Sequence, residues 1–197
     1  MNTKYLTAKS KLTASLCAGI ALSSLLVTSA SAQDLAGKLG NVTIVSVDRM
    51  SLTNNGSDYV VAVDITFQNL NADPLRFRNA DLNVTLKTVR ADGASELVDL
   101  GLSHLGAVVL PSGSTNAPGT VTTTANIVMG SASDATNLKL VQLFNAVGDP
   151  GNKMALLLKG ASALDLKLPN GWVGEADKRF EVDLAFKPTL QRNVLLN

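Results

Sequence analysis

The fold class follows from one stretch of the chain, residues 60–69, which read Val-Val-Ala-Val-Asp-Ile-Thr-Phe-Gln-Asn. Every second side chain in this stretch is apolar, at Val61, Val63, Ile65 and Phe67. A period of two places these four side chains on one face of an extended strand and their polar neighbours on the other. This pattern is typical of a half-buried strand in an antiparallel sheet.

Outward from this strand, the same alternation or a β-rich composition recurs along the chain. It is present at residues 42–52, 82–86, 97–110, 121–129, 154–158 with 164–168, and 180–186. Asn54-Asn55-Gly56-Ser57 favours a tight hairpin turn between the first two strands. Within the fourth segment we expect a β-bulge at Gly101 or Gly106. About seven short strands at this spacing predict an all-β fold, a β-sandwich of two antiparallel sheets.

One segment has the helical period. The apolar stripe of an amphipathic helix is formed by Leu140, Val141, Phe144 and Val147. Ser133 is suited to cap the start of this helix, and Gly148 with Pro150 ends it. We expect the helix to lie between the fifth and sixth strands and to close one open end of the sandwich.

The first 32 residues have the form of a secretory signal. Residues 1–15 carry three lysines and no acid, residues 16–27 form an apolar run, and Ala30-Ser31-Ala32 ends it with small side chains. The apolar run is too short to span about 30 Å of hydrocarbon as a helix. We expect cleavage after Ala32, export to the periplasm or the medium, no stable membrane insertion afterwards, and a single domain over residues 33–197.

Charge and composition narrow the classes of function. Cleavage would remove three of the 17 Lys and Arg residues and none of the 16 acids, so the net charge changes from +1 to −2. Such a chain has no basic footprint for nucleic acid. Its single cysteine, Cys17, lies in the signal, and its single histidine is His104. We therefore expect no cysteine chemistry, no metal and no cofactor, and a protein that is not an enzyme.

Catalysis by an imidazole would require His104. The adjacent Ser103 is not a suitable nucleophile, because neighbouring residues on a strand point to opposite faces of the sheet. Sugar chemistry has little support, because Trp172 is the only tryptophan that could line a sugar cleft. We interpret His104 as an ordinary surface residue and predict no catalytic residue.

Two further groups of polar residues have a functional and a simpler interpretation. Asp48 and Asp64 could approach each other across the first hairpin and bind calcium, but paired carboxylates are common on a solvated sheet face. Thr120, Thr122 and Thr124 share one strand face, as threonines do on ice-binding surfaces. Threonine is also an ordinary outward-facing residue of a strand, which is the interpretation we favour.

The end of the deciding strand carries a family resemblance. Residues 65–77 read Ile-Thr-Phe-Gln-Asn-Leu-Asn-Ala-Asp-Pro-Leu-Arg-Phe. They resemble the signature of the late embryogenesis abundant group 2 family, also called the water stress and hypersensitive response (WHy) domain, in which an alternating strand ends in Asn-Pro-Asn. Asn69 and Asn71 match the asparagines, Leu70 stands in place of the proline, and Pro74 precedes the restart at residues 75–77. The likeness covers residues 39–188 and includes a Leu-Pro-Ser-Gly turn at residues 110–113.

The resemblance implies a folded stress-protection protein that acts in water loss, by limiting aggregation. Asn69 and Asn71 are structural in either reading, because asparagine bonds to its own main chain and satisfies backbone groups where a strand ends. The alternative is a periplasmic binding module, an accessory subunit of an envelope assembly that accepts a partner strand at a sheet edge. Both imply an unidentified protein or envelope partner and share the same sequence features.

Overall fold

The computed structural model describes residues 37–186 and 191–192, and within these residues the protein is all-β, as predicted. The predicted signal, with Ala30 and Ala32, lies outside the described residues. The described residues form nine strands and one long helix, and a short helical segment at residues 37–39 precedes the first strand. The strands are β1 (Val42–Asn54), β2 (Tyr59–Asn69), β3 (Leu75–Val89), β4 (Ser95–Leu105), β5 (Val108–Leu110), β6 (Gly119–Gly130), β7 (Lys153–Leu168), β8 (Gly171–Phe186) and β9 (Gln191–Arg192), and the helix is α1 (Asp134–Gly148). No helix among the described residues combines the length and apolar character needed to cross a membrane.

The alternating pattern that predicted β2 agrees with the burial of its side chains. All four of its apolar alternate residues are fully buried, and β1 pairs with β2 in antiparallel register from Val42↔Asn69 to Asn54↔Tyr59. The connection is a loop of residues 55–58, longer than the tight turn that we expected. The side-chain oxygen of Asn55 accepts the backbone N–H groups of Ser57 and Asp58, which stabilises the wider loop.

The strands form one hydrogen-bonded sheet in the order β8-β7-β3-β4-β6-β2-β1-β9, with β5 also paired to β3. We expected two separate sheets, but the halves β8-β7-β3-β4 and β6-β2-β1 are joined by the pair Ser103↔Ile127 between β4 and β6. On the other side β1 contacts β8. The apolar faces of the two halves enclose the core between them.

The strand count is higher than the predicted seven, because residues 97–110 form two strands and β9 is an additional short strand. The ladder between β3 and β4 shifts register beside Gly101, whose φ of +122° places it in the region that favours glycine. The bulge expected at Gly101 or Gly106 is thus confirmed at Gly101. After Leu105 the chain leaves the ladder, and β5 then pairs with the first residues of β3.

Three aromatic rings meet at the centre of the core. The ring centroid of Phe67 on β2 lies 5.0 Å from that of Phe77 on β3 and 5.8 Å from that of Phe180 on β8. The rings are tilted or edge-on, the arrangement that aromatic pairs prefer. Because these strands come from both halves of the sheet, the cluster ties the halves together.

Helix α1 lies between β6 and β7 and begins at the predicted cap, where the Ser133 hydroxyl accepts the N–H of Thr136. The predicted apolar stripe is wrong in part. Leu140 is buried, but Val141 and Phe144 are 54% and 38% exposed, and Leu143 is buried instead. The helix is apolar on more than one side, so periodicity alone could not select the side that packs on the sheet.

Candidate functional site

Asn69 is the first of the residues singled out by the family resemblance, and it lies fully buried at the end of β2. Its side-chain amide donates hydrogen bonds to the carbonyl of Pro111 at 2.8 Å and to the carbonyl of Asp73 at 3.0 Å. Its side-chain oxygen accepts the backbone N–H of Asn71 at 2.9 Å. One side chain therefore holds the crossover from β2 to β3 against the segment that precedes β6.

Asn71 extends this network to the N-terminal side of β1. Its side-chain amide donates to Asn69 Oδ1 at 2.7 Å and to the carbonyl of Lys38 at 3.0 Å, and its own Oδ1 accepts from the Asn41 amide at 3.1 Å. We call the two asparagines Asn69 and Asn71 the asparagine hub. Every polar side-chain atom of the hub has a partner, so its chemistry is structural.

Close backbone packing surrounds the hub. The N–H of Gly113 donates to the carbonyl of Asn71 at 2.6 Å. A Cβ at Gly113 would lie 2.2 Å from the backbone oxygen of Asn69 and from the backbone nitrogen of Gly119. Backbone atoms cannot move aside as a flexible side chain can, so only glycine fits at Gly113. Gly113 and Pro111 contact the hub. The sequence marked the Leu-Pro-Ser-Gly turn at residues 110–113 but did not show that this turn packs against the two asparagines.

Pro74 lies half-buried beside the hub, and its carbonyl accepts the N–H of Lys167 on β7 at 3.1 Å. The next residues lead into a charged cluster on the outer face. Asp165 of β7, 1% exposed, accepts hydrogen bonds from Arg76 and Arg78 of β3 at 2.5–3.1 Å. Burial acts to raise the pKa of Asp165, but the hydrogen bonds and charges of Arg78 and Arg76 outweigh it, so the pKa lies below its ordinary value.

Trp172 belongs to the same cluster. The Arg76 guanidinium lies 4.8 Å and the Lys167 ammonium 5.3 Å from the centroid of its ring. Both distances are within the range of cation–π attraction. The tryptophan is thus covered by two cations, which is a packing arrangement and not an open platform for a sugar ring.

The threonines of β6 and the acids of the first hairpin meet on the outer face of β1-β2-β6. The Thr122 and Thr66 hydroxyls are 2.7 Å apart, and Thr66 also donates to Asp48 at 3.0 Å. In the next row Thr124 donates to Asp64 at 2.7 Å. Asp64 also pairs with Arg49 at 2.8 Å. The acids are thus occupied by neighbouring hydroxyls and a cation.

Thr120 occupies the row beside Gln68. Among the described residues, no three histidine, cysteine or acidic side chains lie where they could share a metal ion.

His104 and Ser103 point to opposite faces, as predicted. Ser103 is fully buried, whereas the His104 side chain is 72% exposed and its Nδ1 lies 2.6 Å from the carboxylate of Asp81. The sequence did not identify Asp81 as the partner, because the pairing depends on the β3–β4 register. A histidine–carboxylate pair could orient a general base, but the inward serine cannot be its nucleophile.

No family model matches the chain, and no curated protein matches it. Among solved structures, a protein from Archaeoglobus fulgidus is 11% identical, with 74% of this chain and 98% of that chain covered and a TM-score of 0.33. The protein AT1g01470 from Arabidopsis thaliana is 16% identical, with 77% and 83% covered and a TM-score of 0.33.

A third structure, of a putative late embryogenesis abundant protein, At2g46140.1, is 16% identical, with 94% of each chain covered and a TM-score of 0.27. At these identities and TM-scores, the three likenesses assign neither a family nor an activity to this chain.

Proposed function

We propose that this chain is a non-enzymatic exported protein that limits the aggregation of other macromolecules under water stress. The observation that carries the proposal is the Asn69-Leu70-Asn71 motif by which the sequence resembles late embryogenesis abundant group 2 proteins. In support, both asparagines are buried at the crossover from β2 to β3, where they bond a backbone group of the crossover itself and backbone groups of two other chain segments. Because the motif is structural, it indicates a type of fold. We infer the function from the resemblance of this motif to the family signature.

The outer face of β1-β2-β6 is the surface through which we expect protection to act. Its hydroxyls and carboxylates hold one another in place, as in the contact of Thr66 with Thr122 and with Asp48. A surface of fixed hydrogen-bonding groups can hold water, or replace it at a neighbouring protein, with little loss of side-chain entropy. This mode of action depends on the folded exterior and not on one reactive atom.

The test is an aggregation assay in which a dehydration-sensitive enzyme is dried and rehydrated with the purified protein. We expect His104→Ala and Asp81→Asn, each shown to be folded by circular dichroism, to protect as well as the unchanged protein. Phe67→Ala should lose protection in proportion to the folded fraction lost. Loss of protection in folded His104→Ala would contradict the proposal, because it would show that one imidazole carries the effect.

Export is part of the proposal and has its own check. The Ala30-Ser31-Ala32 ending motivates it. Mass spectrometry of the protein from the periplasm or medium should find Gln33 as its first residue. A secreted species that keeps residues 1–32 would contradict this part of the proposal.

A binding module that accepts a partner strand is the second candidate. Strand β8 supports it, because it ends the strand order and pairs with β7 along one side. Its sequence opposes it, because charged residues on an edge strand discourage further pairing. Within β8 the charged residues are Glu175, Asp177, Lys178, Arg179, Glu181 and Asp183. Strand addition at β8 is therefore the less favoured of the two functions.

A further inference from the structure

A polar cleft of about 320 Å³ lies at the end of the sheet where β3 ends and β4 begins, beside the last turn of α1. We call it the helix-end cleft. Its lining includes Thr88 of β3, Arg90 of the loop that follows β3, Glu96 of β4, Asn145 of α1, and Asp149 and Asn152 of the loop that follows the helix. None of these residues belongs to the asparagine hub or to the outer surface proposed for protection.

The cleft arises because the core face of β3 and β4 becomes polar at this end. Leu82, Val84 and Leu86 alternate on the buried face of β3, and the same period continues to Thr88 near the end of the strand. Glu96 is paired with Thr88 across the β3–β4 ladder, so it shares that face. Polar groups thus occupy positions that point between the sheet and the helix.

Two polar atoms of the cleft residues have no hydrogen-bond partner within the part of the chain that the structure describes, Thr88 Oγ1 and Asn152 Oδ1. Thr88 is 2% exposed and lies at the floor of the cleft. Asn152 is held in place, since its side-chain amide donates to the carbonyl of Ala146 at 3.0 Å. Buried polar atoms are nearly always paired, and unpaired ones carry a free-energy cost. A bound molecule that donates hydrogen bonds would remove that cost.

The charged side chains that line the cleft indicate which kind of hydrogen-bond donor it would bind. Arg90 and Glu96 form an ion pair at 2.7 Å, and Gln142 donates to the other Glu96 oxygen at 3.1 Å, so these two charges cancel. The Asp149 carboxylate is the remaining charge of the cleft. Asp149 occupies the C-cap position of α1, whose last turn holds no basic residue. The carbonyl groups at a helix C-terminus carry partial negative charge and favour a cation. The electrostatic field of the cleft therefore favours a positively charged donor.

We propose that the helix-end cleft binds a small organic ammonium compound, whose –NH₃⁺ group donates to Asn152 Oδ1, Thr88 Oγ1 and the Asp149 carboxylate. Its volume is at the lower end of ligand clefts, which begin at about 300 Å³, so the compound is small. No bond is formed or broken, and the site is one of binding alone.

The test uses 1,4-diaminobutane as the probe and 1,4-butanediol as its neutral counterpart, with binding measured by calorimetry and by the shift in melting temperature. We expect saturable binding of the diamine and at least tenfold weaker binding of the diol. Asp149→Asn should weaken the diamine about tenfold or more, as the loss of one charge-assisted hydrogen bond does. Thr88→Val should weaken it several-fold while leaving the ligand-free protein folded.

Asp99→Asn is the matched control. Asp99 is exposed and accepts the N–H of Gly101 two residues on, as Asp149 accepts the N–H of Gly151. It lies outside the cleft, so the variant should bind the diamine like the unchanged protein. Equal binding of diol and diamine, an equal loss in Asp99→Asn and Asp149→Asn, or no saturable binding at all because the cleft holds only water, would each overturn the proposal.

Discussion

Buried polar groups are fully hydrogen-bonded at the end of the sheet where β3 begins and incompletely hydrogen-bonded at the end where β3 finishes. At one end, each side-chain oxygen and amide of the asparagine hub has a partner, and the carbonyls of Lys38 and Pro111 are tied to it. At the other end, the helix-end cleft leaves Thr88 Oγ1 and Asn152 Oδ1 unpaired. The comparison teaches that a fully paired polar network holds the chain together, while an incompletely paired one is available to a ligand.

The difference comes from what covers each end. Backbone covers the hub, because Gly113 allows its segment to pack against the backbone of Asn69, and Gly119 allows β6 to pack against the backbone of Pro111 and Ser112. The cleft is bordered instead by a helix end and a four-residue loop, and these leave about 320 Å³ open. Variants that remove packing, charge or hydroxyl groups can test each part of this comparison.

The largest effect is expected at the aromatic cluster beneath the hub. Phe67→Ala removes a fully buried ring that contacts Phe77 and Phe180, and we expect it to lower the free energy of unfolding by about 3–5 kcal/mol. Thr122→Val is the control, because its hydroxyl is exposed, and it should change stability by no more than about 0.5 kcal/mol. Urea unfolding would measure both, and equal losses would show that the register of β2 and β6 is wrong.

A smaller effect is expected at Asp165, near the hub end of β7. Asp165→Asn keeps the shape but weakens the charge-assisted hydrogen bonds to Arg76 and Arg78, at a cost of about 1–3 kcal/mol at pH 7. Asp183→Asn, at an exposed ion pair with Lys87, should cost less than about 1 kcal/mol.

The pH dependence of that loss can be stated in advance. The pKa of Asp165 is lower in the folded protein than in the unfolded chain, so its stabilisation is fully present above the unfolded pKa of about 3.9. It disappears as the pH falls through the folded pKa. The stability difference between the protein and Asp165→Asn should thus be constant from neutral pH down to about pH 5 and shrink below pH 4. A difference that grows on acidification would contradict the assigned direction.

The sequence predicted the strands better than it predicted their partners. Alternation identified β2 and its buried face, because the polarity of each side chain indicates whether it lies on the core face or the solvent face of the strand. It did not show that residues 97–110 divide into β4 and β5, because that division depends on pairing with β3. Nor did it select the buried side of α1, where Val141 and Leu143 are equally apolar but only Leu143 packs inward.

The asparagine hub and the helix-end cleft also differ in how much of them the sequence predicted. Asn69 and Asn71 were singled out by the family resemblance, and asparagine at a strand end also has a local structural role. Their partner Pro111 is 42 residues from Asn69 along the chain, a contact that only the folded structure reveals. Thr88 was missed although it continues the buried period of β3, because a threonine at the end of a strand has an ordinary interpretation.

The most direct test of the comparison between the two ends is urea unfolding of Asn69→Ala beside Thr88→Val. Asn69→Ala leaves the carbonyls of Pro111 and Asp73 and the N–H of Asn71 without partners, so it should lower the free energy of unfolding by about 2–4 kcal/mol. Thr88→Val replaces an unpaired hydroxyl with a methyl group of similar size, so stability should be unchanged or up to about 1 kcal/mol higher. Equal losses in the two variants would contradict the account, because they would show that the polar groups at the helix-end cleft are as fully paired as those of the hub.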